Sequence, residues 1–301
     1  MITRRTVLTA PIFVGLAQTL NAQMENSRML LAIHQNTSRA AGFRGSLEGY
    51  ASAGIQYVEL NSILLDEFLQ TDTLSGARQL LTDLNLIPVS GSVTLHDIWL
   101  PGPERQNSLD TWRQRCEQFV ELGLERVYSP SVTRRPVTVE DFEATPGCIH
   151  EVGEITAEFG LTAMIEFIRT SSHLSTLTSA LQVIRAANHP NVKPMLDFFH
   201  FWSGLSKFED LDLLQHGELA HVHFQDLLDT PKELINNDSR IIPGDGIAPI
   251  ERILRKLSEK GYEGALSVEL FREEIVNADP SQMASEIREK CENVMREANV
   301  L

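Results

Sequence analysis

Short apolar, β-rich runs alternate along the chain with longer stretches whose apolar positions recur at helical spacing. The runs are Met29–Ile33, Tyr57–Leu60, Ile87–Val93, Arg126–Tyr128, Thr162–Phe167, Lys193–Leu196, Ala220–Phe224 and Ala265–Leu270. Each reads as a strand. Leu109–Leu122 and Pro249–Lys260 carry clear helical periodicity, and Pro280–Ala298 closes the chain as an amphipathic helix. Gly54, Gly123, Gly160 and Gly261 each stop a helix just before a short link and a strand, because glycine adopts the left-handed conformation of a helix C-terminus at little cost. Strand onsets recur at the spacing of β-α units, and eight such units predict a single α/β domain, a (β/α)8 barrel. The long link from Gln225 to Gly246 is expected to be elaborated or mobile.

Composition narrows this reading. A chain of 301 residues, 42% hydrophobic and 22% charged, is globular rather than disordered and long enough for one complete barrel. Its net charge of -15 provides no global electrostatic footprint for nucleic acid or anionic membranes. Residues 1–22 read as an export signal: Arg4 and Arg5, an apolar stretch from Val7 to Leu20, then the small Ala22. The pair of arginines makes the segment twin-arginine-like, without the consensus Phe and Lys; an apolar N-terminal helix is the other reading. Cleavage would take two of the 26 basic residues and none of the 41 acidic ones, leaving residues 23–301 as the barrel domain at -17. The expected location is the bacterial periplasm, with no membrane contact in the mature form. Cys116, Cys148 and Cys291 are an odd number without metal-ligand spacing, so no disulfide framework is expected.

In such a barrel the site lies at the C-terminal ends of the strands. Glu166, Asp197, His223 and Glu269 fall there on strands five, six, seven and eight in succession. A lone strand-end carboxylate is more often a surface or capping group. Three carboxylates and an imidazole converging at one rim would instead repel, unless a cation lay between them. An oxygen-rich set with one nitrogen suits one divalent ion, Mn²⁺, Mg²⁺ or Co²⁺ before Zn²⁺. His221 shares a strand face with His223 and is either a second ligand candidate or a hydrogen-bonded barrel histidine. Glu59 on strand two is a further strand-end carboxylate with no neighbouring ligand in the sequence.

Leu196-Asp197-Phe198-Phe199-His200, His221-Val222-His223-Phe224-Gln225-Asp226, Arg240-Ile241-Ile242-Pro243-Gly244-Asp245-Gly246 and Gly261-Tyr262 leading to Val268-Glu269-Leu270 resemble the xylose-isomerase-like barrels of the sugar phosphate isomerase/epimerase family, in particular the inosose isomerase type. The resemblance covers Gly160 to the C-terminus by motif and the earlier units by pattern. It implies a metal held by Glu166, Asp197, His223 and Glu269, with His200 and Arg240 touching substrate oxygens. It favours His223 over His221 as the ligand. It also implies an isomerase or epimerase of a keto-sugar or inosose, with Glu166 and Glu269 passing a proton through an enediolate, and barrels that often associate through their helical faces. Export departs from the family, whose members act mostly in the cytoplasm, and points to a free sugar, cyclitol or keto-glycoside. A lyase or hydratase acting on 3-keto-glycosides and a non-catalytic sugar-binding barrel are the alternatives. A DNA-cutting barrel is opposed by the acidic charge. Phe198, Phe199, Phe201 and Trp202 are expected as an aromatic wall or as helix core, and His34, His96 and Trp99 as further residues of the mouth.

Overall fold

A computed structural model describes residues 28–301. The expected export segment lies outside them. Seven parallel strands, β1 (Leu30–His34), β2 (Tyr57–Asn61), β3 (Ile87–Ser92), β4 (Arg126–Pro130), β5 (Thr162–Glu166), β6 (Val192–Asp197) and β7 (His221–His223), are followed by the short β8 (Asp226–Leu227) and β9 (Arg240–Ile241), and by β10 (Ala265–Val268). Strands β1 to β7 and β10 close into a barrel, in which β10 lies between β7 and β1. These eight are the strands the sequence predicts, with ends shifted by a residue or two. Gly54, Gly123, Gly160 and Gly261 all have φ between 70° and 84°, which the sequence grammar required of them.

The outer layer is α1 (Gly42–Ser52), α2 (Ser62–Phe68), α3 (Leu74–Asp83), α4 (Arg105–Glu121), α5 (Val139–Glu158), α6 (Leu177–Ala187), α7 (Phe198–Ser203), α8 (Ile250–Glu259), α9 (Glu273–Val276) and α10 (Pro280–Glu297). Helix α8 starts one residue later than predicted, and α4 four residues earlier than the periodic stretch. The main core fills the space between strands and helices: Leu47, Trp112, Phe119 and Leu254 are fully buried there. Such burial contributes roughly 1.5–3 kcal/mol per large side chain. Close contact also explains Gly91 in β3, where any Cβ would sit 2.6 Å from the Phe119 ring. Among the described residues no helix is long and apolar enough to cross a membrane.

Inside the barrel the chemistry changes. Tyr128, Met164 and Met195 form a small apolar cluster, while His34, Glu59, His221, His223 and Ser267 are buried and polar. A barrel interior that admits so many polar groups must satisfy them internally. The register puts them on one rim: His34 pairs with Glu59, Pro130 with Glu166, and Asp197 and Ser267 with His223. The link from Gln225 to Gly246 carries its own antiparallel pair, in which Asp226 faces Ile241 and Leu227 faces Arg240. The Asp226 carboxylate accepts backbone N–H bonds from Leu227 and Ala248 on one oxygen and from Gly244 and Gly246 on the other, at 2.8–3.1 Å. The expectation of an elaborated link holds.

Candidate active site

Glu166 ends β5, Asp197 ends β6, His223 ends β7 and Glu269 follows β10, all four buried. The His223 Nδ1 atom lies 3.1 Å from Glu166 Oε1, 3.4 Å from Asp197 Oδ2 and 3.3 Å from Glu269 Oε2. One ligand atom from each residue falls within 4.8 Å of all the others. A divalent ion with bonds of about 2.1 Å separates its ligands by about 3.0 Å in octahedral and about 3.4 Å in tetrahedral geometry. The residues present therefore fit such an ion in donor chemistry and in spacing. The local field agrees. Burial alone would lower the His223 pKa, yet the surrounding charges, Glu269, Glu59 and Glu166 among them, raise it well above the ordinary imidazole value, so this position strongly favours positive charge.

The cluster is braced from every side. Arg240 Nη1 donates to Asp197 Oδ2 at 2.6 Å and Glu269 Oε2 at 2.9 Å, and its Nη2 meets His200 Nε2 at 3.1 Å. Its guanidinium lies over Phe199 and Phe271, 4.5 and 5.0 Å from the ring centroids. Asp197 also caps the short α7, accepting the His200 N–H at 2.6 Å, and takes a bond from Gln225 Nε2 at 2.7 Å. Asn36 Nδ2 donates to Glu269 Oε1 at 2.9 Å, with Asn61 behind it at 2.8 Å. The two glutamates feel opposite environments. Burial pushes Glu166 up to about 7, whereas at Glu269 the charges of His223 and Arg240 overcome burial and hold it at about 2. Burial lowers His200 to about 4, so its ring is neutral near pH 7.

Above the cluster opens a cavity of about 480 Å³. Glu166, Glu269, His200 and Arg240 line it, so the structure brings together all six residues named from the sequence. Asn36, Asn61 and Tyr128 line it too and were missed. Strand-end position marks Asn61, the last residue of β2, but an amide attracts less notice than a carboxylate. Other expectations need correction. Trp99 is core: it is 1% exposed, donates to the Ser129 carbonyl and packs edge-on against Trp112. His96 lines a separate hollow with Asp97 and Arg135. His34 lies beneath the cavity, buried against Tyr128 and His223. Of the aromatic segment, Phe199 lines the cavity, Phe198 and Phe201 belong to the main core, and Trp202 packs beside Phe199, Leu227 and Ile235.

Glu59 is not unmatched. Its carboxylate lies 2.9 Å from His221 Nε2 and 3.4 Å from His223 Nε2, so His221 is the hydrogen-bonded barrel histidine. The bond from His223 Nε2–H to Glu59 assigns the tautomer that turns the Nδ1 lone pair toward Glu166, Asp197 and Glu269.

A closed parallel barrel with a carboxylate-rich, cation-seeking cluster at the C-terminal rim defines the class. The chain belongs to the xylose isomerase-like TIM barrel family, which matches residues 47–296. An inosose isomerase of Halalkalibacterium halodurans is 26% identical over 234 residues, 76% of this chain and 82% of its own. A 3-dehydroshikimate dehydratase of Pseudomonas putida is 25% identical over 252 residues, 80% of this chain and 38% of its own. Among solved structures, the IOLI protein with a bound zinc atom superposes with a TM-score of 0.83 at 22% identity, over 90% of this chain and 99% of that one.

Proposed function

We propose that this chain is a divalent-metal-dependent isomerase or epimerase of a keto-sugar or inosose, working through an enediolate. The observation that carries the reading is that Glu166 and Glu269, both lining the cavity, come within 3.1 and 3.3 Å of the same atom, His223 Nδ1. Similarity to an inosose isomerase over most of both chains supports it. Glu166, Asp197, His223 and Glu269 would hold the ion. When bound, a divalent cation polarises a carbonyl and its neighbouring hydroxyl and so acidifies the α-proton.

The remaining steps belong to the protein. One glutamate takes the α-proton at a carboxylate oxygen, and the other returns a proton on the opposite side. Asn36 fixes the Glu269 carboxylate through Oε1, and Arg240 fixes it through Oε2. His200, neutral and in contact with Arg240, lines the cavity, and the Phe199 and Phe271 rings cover the guanidinium. The same pair of glutamates would serve elimination from the β-carbon of a 3-keto-glycoside. Similarity to a dehydratase keeps that second reading.

Incubation in deuterated water with several inososes and keto-sugars, and separately with a 3-keto-glycoside, tests both. The proposal expects deuterium at an α-carbon and a shifted carbonyl. Released aglycone without isomerised product replaces it with the lyase, and no exchange in any substrate removes both.

A further inference from the structure

The wall of the cavity formed by the loops after β4 and β5 carries two arginines with no acidic partner among the described residues. Arg134 and Arg169 both line it. Arg135, the next residue, is committed to Asp141 and Asp97, and Arg240 to Asp197 and Glu269. Arg134 and Arg169, by contrast, form no ion pair among the described residues. Arg169 is half-buried, spends one N–H on the Ile235 carbonyl at 3.0 Å and lies 5.8 Å from the Phe199 ring centroid. The two loops are braced to each other: Ser131 N–H donates to the Glu166 carbonyl at 2.8 Å, and the Ser172 N–H and hydroxyl both donate to the Thr133 carbonyl.

A half-buried guanidinium without a counter-charge costs free energy that one carbonyl and an aromatic face offset only in part. An anion in the cavity would supply that counter-charge through charge-assisted bonds, for which guanidinium geometry is suited. We infer that the substrate carries an anionic group, a carboxylate or a phosphate, held by Arg169 and Arg134 while its keto-hydroxyl end faces Glu166 and Glu269. The inference rests on the proposed keto-sugar reading and narrows its substrate class.

The test is equilibrium binding to the manganese-loaded protein of three probes: fructose, fructose bearing a terminal phosphate, and a ketogluconate. At least one anionic probe is expected to bind about tenfold or more tighter than fructose, and which one does separates phosphate from carboxylate. Arg169→Met removes that preference, and Arg134→Met, at an exposed position that does not endanger folding, reduces it. Neither changes fructose binding. Equal affinity for all three probes, or variants that weaken all three alike, overturns the inference. Anion preference without deuterium exchange in any substrate would instead sink the isomerase reading and leave the anion site standing. Exchange on neutral substrates without the preference would do the reverse.

Discussion

Glu59 reaches across the barrel interior from β2 to His223 on β7, and its carboxylate meets the imidazole face that points away from Glu166, Asp197 and Glu269. A carboxylate behind a ligating histidine fixes its tautomer and raises its basicity. Glu59→Gln should therefore weaken divalent metal binding by about 10–100-fold, measured by chelator competition. Because the Glu59 carboxylate also holds His221, circular dichroism of the variant separates this effect from unfolding. An intact fold with unchanged affinity would mean that Glu59 serves only to satisfy the two histidines.

Glu166→Gln keeps the shape of the cavity and removes a group that can take a proton. With metal content matched to the parent, the expected loss of α-proton exchange is about 10²–10⁴-fold; because Glu166 would also hold the ion, divalent metal binding weakens as well. Exchange at the parental rate would place the proton transfer elsewhere.

The anchoring of β8 and β9 by Asp226 makes a separate prediction. Asp226→Asn exchanges one carboxylate oxygen, which accepts two backbone N–H groups, for a donor that can accept neither. Thermal unfolding should show a loss of about 2 kcal/mol or more. Leu227 pairs with Arg240, so KM should rise as well. A variant as stable as the parent would show that the loop is held by other contacts.

His173 gives the fold a pH dependence remote from the active site. Thr145 donates its hydroxyl to the Asp141 carbonyl, so it receives the His173 Nε2–H at 2.8 Å, and Nδ1 is left buried without a partner. Burial lowers the His173 pKa from 6.5 to about 4. The unfolded chain binds this proton below pH 6.5 and the folded one only near 4. The contribution, on the order of 2–3 kcal/mol, is thus complete above pH 6.5 and lost as the pH falls toward 4. In His173→Gln, urea midpoints at pH 7 and pH 5 should lie closer together than in the parent. An unchanged gap would assign the acid sensitivity to other groups.

Much of this was legible in the sequence. Strands β1 to β7 and β10 announce themselves through short apolar runs, four of them after helix-stopping glycines, and the rule that strand ends carry the site singled out Glu166, Asp197 and Glu269, with the family resemblance deciding for His223 over His221. What escaped depends on contacts across the barrel. Glu59 and His221 sit on strands that are not neighbours, so no local pattern joins them. Asn36 reaches Glu269 from the 3-10 turn after β1, where backbone direction decides which side chain turns inward. Trp99 misled because the loop after β3 folds outward onto Trp112 of α4, giving a residue near a strand end the role of core.

The proposed function stands on Glu166, Asp197, His223 and Glu269 holding one divalent ion. Metal analysis of the purified protein beside its His223→Ala and Glu269→Gln variants tests it directly. About one divalent ion per chain is expected in the parent and a marked fall in both variants, with the fold retained by circular dichroism. Metal content that ignores both substitutions, or a parent protein that binds no divalent ion from a supplied excess, would contradict it.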